Sequence, residues 1–182
     1  MNAIHSANTD ALIFASTSDY GSGAAQPYPA GFDGIFSITA ASIDGTPCNM
    51  AEDNHTHFYL PSEGLNVEGL PEYLEHMGKK TAEGSSYATA LGAGLAAFFL
   101  TCVQLVYHTG TANGDEWKVN NELGAYRGEN MAKLFKSLCR AGNPRFVQPW
   151  HMFRKDWENK HTMTARKAAL REALVTALAN AE

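Results

Sequence analysis

A glycine and two serines open the least charged part of this chain, residues 84–94, which read GSSYATALGAG. From residue 84 to residue 114 there is no Asp, Glu, Lys or Arg, and small or apolar side chains predominate. This composition predicts a helix from about Ser86 to His108 that packs closely inside a domain. At a helix start, backbone N–H groups and the positive end of the dipole can stabilise an anion. A serine at this place is therefore suited to act as a nucleophile.

Short apolar runs upstream of this helix predict strands at residues 11–15, 35–41, 58–60 and 65–67. They are bounded by polar residues, Gly or Pro, as buried parallel strands are. Further helices are predicted at 2–10, 129–140 and 162–181. The alternation indicates an α/β domain with a mostly parallel sheet. We expect one domain over residues 1–140 and a helical extension over 141–182, which is suited to docking a partner.

The overall composition excludes some classes of partner. The chain has 182 residues, 45% of them hydrophobic, and a net charge of −5. It therefore offers neither the concentrated basic surface that nucleic acids require nor a polybasic patch for acidic lipids. Its three cysteines, Cys48, Cys102 and Cys139, are sparse and odd in number, which argues against a disulfide framework. No signal peptide is evident, so an intracellular location is favoured.

One alternative for the long helix is a membrane span. Residues 87–107 are long enough to cross a bilayer. However, the first half is made of weakly apolar Ala, Gly and Thr, and Gln104 lies in the second half. Flanking Lys or Arg residues are missing close to the C-terminal side. The buried helix of a soluble domain is therefore the favoured interpretation, and no membrane partner is expected.

The segment from Gly84 to Gly94 resembles the serine motif of subtilisin-like serine peptidases, the subtilases. In that motif Gly-Thr-Ser opens a buried helix and is followed by x-Ala-Thr or x-Ala-Ser and then Pro. Here Ser85 replaces the threonine, and Ala90 stands where proline is usual. The resemblance implies that Ser86 is the nucleophile. A serine N-cap on a small-residue helix without function is the alternative.

Three further blocks follow the family order. Residues 12–21, LIFASTSDYG, resemble the strand that ends in Ala-Ala-Gly-Asn-x-Gly, and residues 28–40 resemble the Tyr-Pro-Ala block after it. Residues 58–67 occupy the place of the Ala-Pro-Gly strand. The resemblance covers roughly residues 1–108 and implies the C-terminal half of a subtilase domain. The fold class that it implies is a partial subtilisin-like α/β fold, with three to four parallel strands and a central helix.

The resemblance implies that Asp19 occupies the position at which most subtilases have the asparagine of the oxyanion hole. An asparagine amide donates a hydrogen bond at any pH, whereas a carboxylate donates only when it is protonated. The acid-acting sedolisins, relatives with the same fold, place an aspartate here. The resemblance therefore implies weak stabilisation of an oxyanion near neutral pH.

The larger departure is the absence of the family's Asp and His blocks before Leu12. A serine peptidase needs a base for the hydroxyl proton and an acid that orients this base. His108-Thr109-Gly110-Thr111 is similar to the histidine block in sequence, but it follows the serine, whereas the family's histidine block precedes it. We expect a serine endopeptidase domain, acting on protein or peptide substrates, that is inactive as this chain alone. The alternatives are a degenerate module for binding or regulation and a truncated gene product.

Cofactors and metals are not expected. Asp53-Asn54-His55-Thr56-His57 contains possible metal ligands, but no third ligand follows at a sensible spacing. A solvated loop is the favoured interpretation of these residues. Cys102 and Cys139 lie in apolar surroundings and are interpreted as small core residues rather than reactive thiols. A possible partner is the missing N-terminal half, or a protein bound through the C-terminal helices.

Overall fold

The structure is a computed structural model that describes residues 11–20, 27–48, 56–66, 81–107, 128–152 and 162–179. The chain divides into two compact units. We call Ile13–Ala93 with Ala141–Val147 the sheet unit, and Met1–Leu12, Gly94–Arg140 and Gln148–Glu182 the helical unit. The helix predicted at residues 2–10 lies outside the described residues.

The sheet unit contains a parallel sheet in which four of its strands lie in the order β1, β2, β3 and β7. These strands are β1 (Ile13–Ser16), β2 (Ile35–Ala41), β3 (Phe58–Pro61) and β7 (Asn143–Val147). Each neighbouring pair is parallel. Two short strands, β4 (Leu65–Asn66) and β5 (Thr81–Ala82), form a separate antiparallel pair. The predicted α/β class with a parallel sheet is confirmed.

The burial of β2 fits its place inside the sheet, between β1 and β3. All seven residues of β2 are buried, which is possible because its side chains are apolar or small. The two polar ones, Ser37 and Thr39, have hydrogen-bond partners. The Thr39 hydroxyl lies 2.7 Å from that of Thr17 and 2.5 Å from that of Thr56, and the Ser37 hydroxyl lies 3.0 Å from Nδ1 of His57. Buried polar groups cost little when they are paired in this way.

Helix α1 (Ser85–Tyr107) begins in the sheet unit with one face buried. Ser85, Ala88 and Gly92 lie on this face at helical spacing, and a Cβ on Gly92 would be 3.6–3.7 Å from Ile38 and Leu60. By length and composition alone, residues Ser85–Val106 could cross a membrane, with a mean hydropathy of 1.8. The core helix of a soluble protein meets the same criterion of length and composition, and 28% of this stretch is buried.

The helical unit contains α2 (Gly128–Ser137), the short strand β6 (Cys139–Arg140), a 3₁₀ turn (Pro149–Met152) and α3 (Met163–Ala179). Helix α2 buries its apolar face, formed by Met131, Leu134 and Phe135. The ring of Phe135 meets that of Phe99, on the part of α1 that belongs to this unit, edge to face at 6.2 Å. Helix α3 packs against α2 and buries Leu174 completely.

Strand β7 was not predicted. Gly142, Asn143 and Pro144 indicate the end of a helix, and Gly142 does adopt a positive φ of 92° in the turn before the strand. The strand becomes evident only in the tertiary structure, in which Phe146 is fully buried against Ala41 and Tyr59. The side-chain amide of Asn143 donates to the carbonyl of Gly45 at 2.9 Å. A residue beyond position 140 thus contributes to the sheet.

Candidate functional site

Asp19 lies in the loop that follows β1. The two residues before it, Thr17 and Ser18, are buried, and Asp19 itself is exposed. The backbone N–H of Thr17 donates to the carbonyl of Ile38 at 3.0 Å, so the loop leaves the sheet beside β2. Ser18 stabilises the turn, because its hydroxyl oxygen accepts the N–H of Tyr20 at 3.1 Å. Asp19 therefore stands at the carboxyl end of the parallel strand β1.

The start of α1 is held at the same end of the sheet. The Gly84 N–H donates to the carbonyl of Ser62, directly after β3, at 3.3 Å. The hydroxyl oxygen of Ser85 accepts the N–H of Ala40, in β2, at 3.1 Å. Gly84 has a φ of 121°, which L side chains rarely adopt, and its carbonyl accepts the N–H groups of Tyr87 and Ala88. Glycine is required where the chain turns into the helix.

The structure brings Asp19 and the serine motif together, although 66 positions separate Asp19 from Ser85. The Ser85 N–H lies 3.1 Å from both carboxylate oxygens of Asp19. The Ser85 hydroxyl donates to Oδ1 of Asp19 over 2.5 Å. Gly84 has no side chain to cap the helix, so the carboxylate of Asp19 caps it from the neighbouring loop.

The two serines differ sharply in environment. Ser85 is fully buried, whereas Ser86 is exposed in the first turn of α1. Among the residues that the structure describes, the Ser86 hydroxyl has no hydrogen-bond partner. The serine motif points to Ser86, and the contacts of Ser85 with Asp19 and Ala40 were not predicted from it. One signal for the role of Ser85 is its position as the first helical residue. The N–H of such a residue has no acceptor within the helix and needs one from elsewhere.

The surroundings of Asp19 are negative. The pKa of the Cys48 thiol is raised by burial and by the charges of Glu63, Asp19 and Glu83. Burial also raises the pKa of Cys102, and it raises that of Cys139 to about 11, partly opposed by Lys136. A raised pKa lowers the fraction of reactive thiolate, which fits the interpretation of Cys102 and Cys139 as unreactive; Cys102 is buried and Cys139 partly buried.

The other candidates of the sequence do not join this site. His57 is exposed, and its Nδ1 accepts the backbone N–H of Ser37 at 3.1 Å, so it extends the pairing between β2 and β3. Asp53, His55 and His108 lie outside the described residues. Within the described residues, no group of His, Cys, Asp and Glu side chains could hold a metal ion.

Comparison with known proteins bears on the fold. No family model and no curated protein matches the chain. A solved structure titled prenylagaramide maturation protease PagA superposes with a TM-score of 0.52 at 14% identity, over 97% of this chain and 54% of that one. The PatG macrocyclase in complex with peptide superposes with a TM-score of 0.50 at 17% identity, over 89% of this chain and 44% of that one. Both are subtilisin-like serine protease domains. The fold of this chain is subtilisin-like.

A second PatG structure, of the macrocyclase domain, gives a TM-score of 0.50 at 18% identity and covers 77% of this chain and 41% of that one. The chain thus spans about half the length of these three structures, from 41% to 54%. The resemblance that the serine motif predicted is confirmed for the fold. At such low identity, the roles of Ser86 and Asp19 stay predictions.

Proposed function

We propose that this chain is part of a subtilisin-like serine peptidase, that Ser86 is its nucleophile and that its substrates are proteins or peptides. The observation that carries the proposal is the hydrogen bonding of Asp19 to Ser85, at the start of α1. Asp19 precedes the serine motif along the chain, as the oxyanion residue does in the subtilase family. An exposed hydroxyl at a helix N-terminus can form an acyl intermediate, and nearby N–H groups can stabilise the oxyanion. One similar protein, the PatG macrocyclase, was solved in complex with peptide.

As this chain alone, the protein is proposed to be inactive. The deprotonation of Ser86 requires a base, and the sequence lacks the family's Asp and His blocks before Leu12. The chain spans 54% of PagA, so a complete subtilisin-like fold has room for those groups in its remaining part. The missing half would then be both the catalytic and the structural partner of this chain.

The experiment compares this chain with a longer polypeptide from the same gene, on a protein substrate at neutral pH. The chain alone should not cleave it, whereas a longer polypeptide with upstream Asp and His blocks should. Ser86→Ala should abolish this activity, and Ser85→Thr is the matched control that restores the family residue. Cleavage by the chain alone that disappears in Ser86→Ala would overturn the proposed inactivity and require a base within these 182 residues.

A second candidate is a degenerate subtilase-like module that binds peptides without cleaving them. The observation that favours it is the use of Asp19 as an acceptor of hydrogen bonds from Ser85, rather than as a donor. The absence of Asp and His blocks upstream in the gene, together with peptide binding that survives Ser86→Ala, would support this candidate over a peptidase.

A further inference from the structure

The hydrogen bonds between Asp19 and Ser85 all run in one direction. The Ser85 N–H and the Ser85 O–H donate, and the two carboxylate oxygens accept. The backbone N–H of Ala40 can only donate, and it fills one of the two acceptor positions of the hydroxyl oxygen at 3.1 Å. The hydroxyl hydrogen is not used by this contact and is donated to Asp19. This arrangement suits an ionised carboxylate and fixes its position.

The backbone of Gly84 lies close to the carboxylate of Asp19. Oδ2 of Asp19 lies 3.1 Å from the point where a Cβ on Gly84 would stand. A side chain on residue 84 would push the carboxylate away from the first turn of α1. The negative charge of Asp19 is consequently held next to the residue that precedes Ser86. Glu63 and Glu83 carry the same sign, and together with Asp19 they act on the Cys48 thiol.

We propose that Asp19, oriented by Ser85, determines the charge specificity of the Ser86 site: its fixed carboxylate favours neutral or positively charged ligand groups and disfavours anions. Ser85 is the positioning residue in this pair. This inference rests on the proposed function only in assuming that a peptide binds next to Ser86. An adjacent negative charge raises the local concentration of cations and lowers that of anions.

The test measures the charge preference directly, without catalysis. In a Cys48→Ser background, the thiol of Ser86→Cys is reacted with two methanethiosulfonate reagents of similar size, one with a trimethylammonium group and one with a sulfonate. The ratio of the cationic to the anionic rate is compared with the ratio for free cysteine. We expect the protein ratio to exceed the free-cysteine ratio by about tenfold at low salt and to fall as salt is added.

Three variants in the same background assign the effect. Asp19→Asn should lower the ratio by about tenfold. Asp33→Asn also removes one carboxylate, but Asp33 is exposed just before β2, at the opposite edge of the sheet, so this control should change the ratio far less. Ser85→Ala should lower the ratio by several-fold, and Ser85→Thr should restore it. A ratio equal to that of free cysteine and independent of salt would overturn the proposal, even if Asp19→Asn failed to fold. A normal ratio in Ser85→Ala would overturn the positioning role of Ser85.

The outcome is separable from the proposed function. Loss of peptidase activity in Ser86→Ala of the longer polypeptide tests Ser86 as the nucleophile, and the reagent ratio does not depend on it. A strong cationic preference, combined with a longer polypeptide whose peptidase activity survives Ser86→Ala, would uphold this inference and contradict the proposed function.

Discussion

Gly84 illustrates how one residue without a side chain sets the geometry of the site. It turns the chain into α1 at a φ of 121°, and it leaves room for the carboxylate that caps this helix. The cap comes from Asp19, a residue of another loop, so the first turn of the helix and the loop after β1 depend on each other.

The substitution Gly84→Ala is expected to lower the free energy of unfolding by about 1–3 kcal/mol, because alanine is strained at this φ and its Cβ meets Asp19. Gly94→Ala, inside α1, is the control at a glycine without a positive φ. A Cβ on Gly94 meets no atom within 4 Å, so alanine there should be neutral or stabilise by up to about 1 kcal/mol. Urea denaturation measures both. Equal effects of the two substitutions would show that the Gly84 turn is not strained.

The substitution Asp19→Asn is expected to raise the peptidase rate of a longer, active polypeptide by up to about a hundredfold near neutral pH. The amide supplies a donor to the oxyanion and removes a negative charge from the site. The kcat of both forms on one peptide substrate measures this effect. An unchanged rate would mean that Asp19 does not face the oxyanion.

Cys139 should react slowly with a neutral alkylating reagent. Burial raises the pKa of its thiol to about 11, so the reactive thiolate forms only as the pH rises toward that value. At pH 8 the thiolate fraction should be about two hundredfold below that of an ordinary thiol with a pKa of about 8.5. Mass-spectrometric rates in native and urea-unfolded protein test this, because the difference must vanish on unfolding.

At the scale of the elements, the contact between β2 and β3 is extended by a side chain. His57 precedes β3, and its Nδ1 accepts the N–H of Ser37 in β2, while its own backbone N–H donates to the Ser37 carbonyl at 3.0 Å. The imidazole thus takes the place of a backbone carbonyl in the ladder. The sequence alone suggested a solvated loop for this residue.

The substitution His57→Ala is expected to destabilise the chain by about 1–3 kcal/mol, because the buried Ser37 N–H loses this acceptor. His57→Asn is the matched control, since its side-chain Oδ1 can occupy the position of Nδ1 and accept the same hydrogen bond. Thermal or urea unfolding should place asparagine close to the wild type. An asparagine variant as unstable as the alanine one would show that this hydrogen bond is not the cause.

At the scale of the whole molecule, the chain matches about half of a subtilisin-like fold and exposes apolar surface. In the sheet unit, Tyr87 and Leu91 of α1 are 39% and 45% exposed, and three of the four residues of β1 are only partly buried. Parallel sheets are normally covered on both faces, and an open edge invites association. We therefore expect the chain alone to be weakly stable and to bind a hydrophobic dye.

The substitution Leu91→Lys is expected to reduce this dye binding while changing stability by less than about 0.5 kcal/mol, because Leu91 is exposed. Ala88→Lys, one turn earlier on the fully buried face, should instead unfold the start of α1. Dye fluorescence and unfolding curves of both variants measure the contrast. A cooperatively unfolding monomer that binds no dye before substitution would argue that the module is complete.

The sequence by itself determined the elements with strong local signals. The apolar runs that became β1, β2 and β3, the small-residue stretch of α1 and the amphipathic pattern of α2 were all recognisable, because their periodicity reflects which faces are buried. The subtilase resemblance also placed Asp19 and the serine motif at one site. These are properties of short segments, or of their order along the chain.

The tertiary structure alone decided how distant residues share hydrogen bonds. β7 has a weak local signal and is held in the sheet by its pairing with β3 and by the burial of Phe146 against Ala41 and Tyr59. Whether a polar residue caps a helix from another loop depends on backbone positions that sequence spacing does not specify. The buried role of Ser85, which accepts from Ala40 and donates to Asp19, therefore became visible only when three separate segments were brought within 3.1 Å of one another.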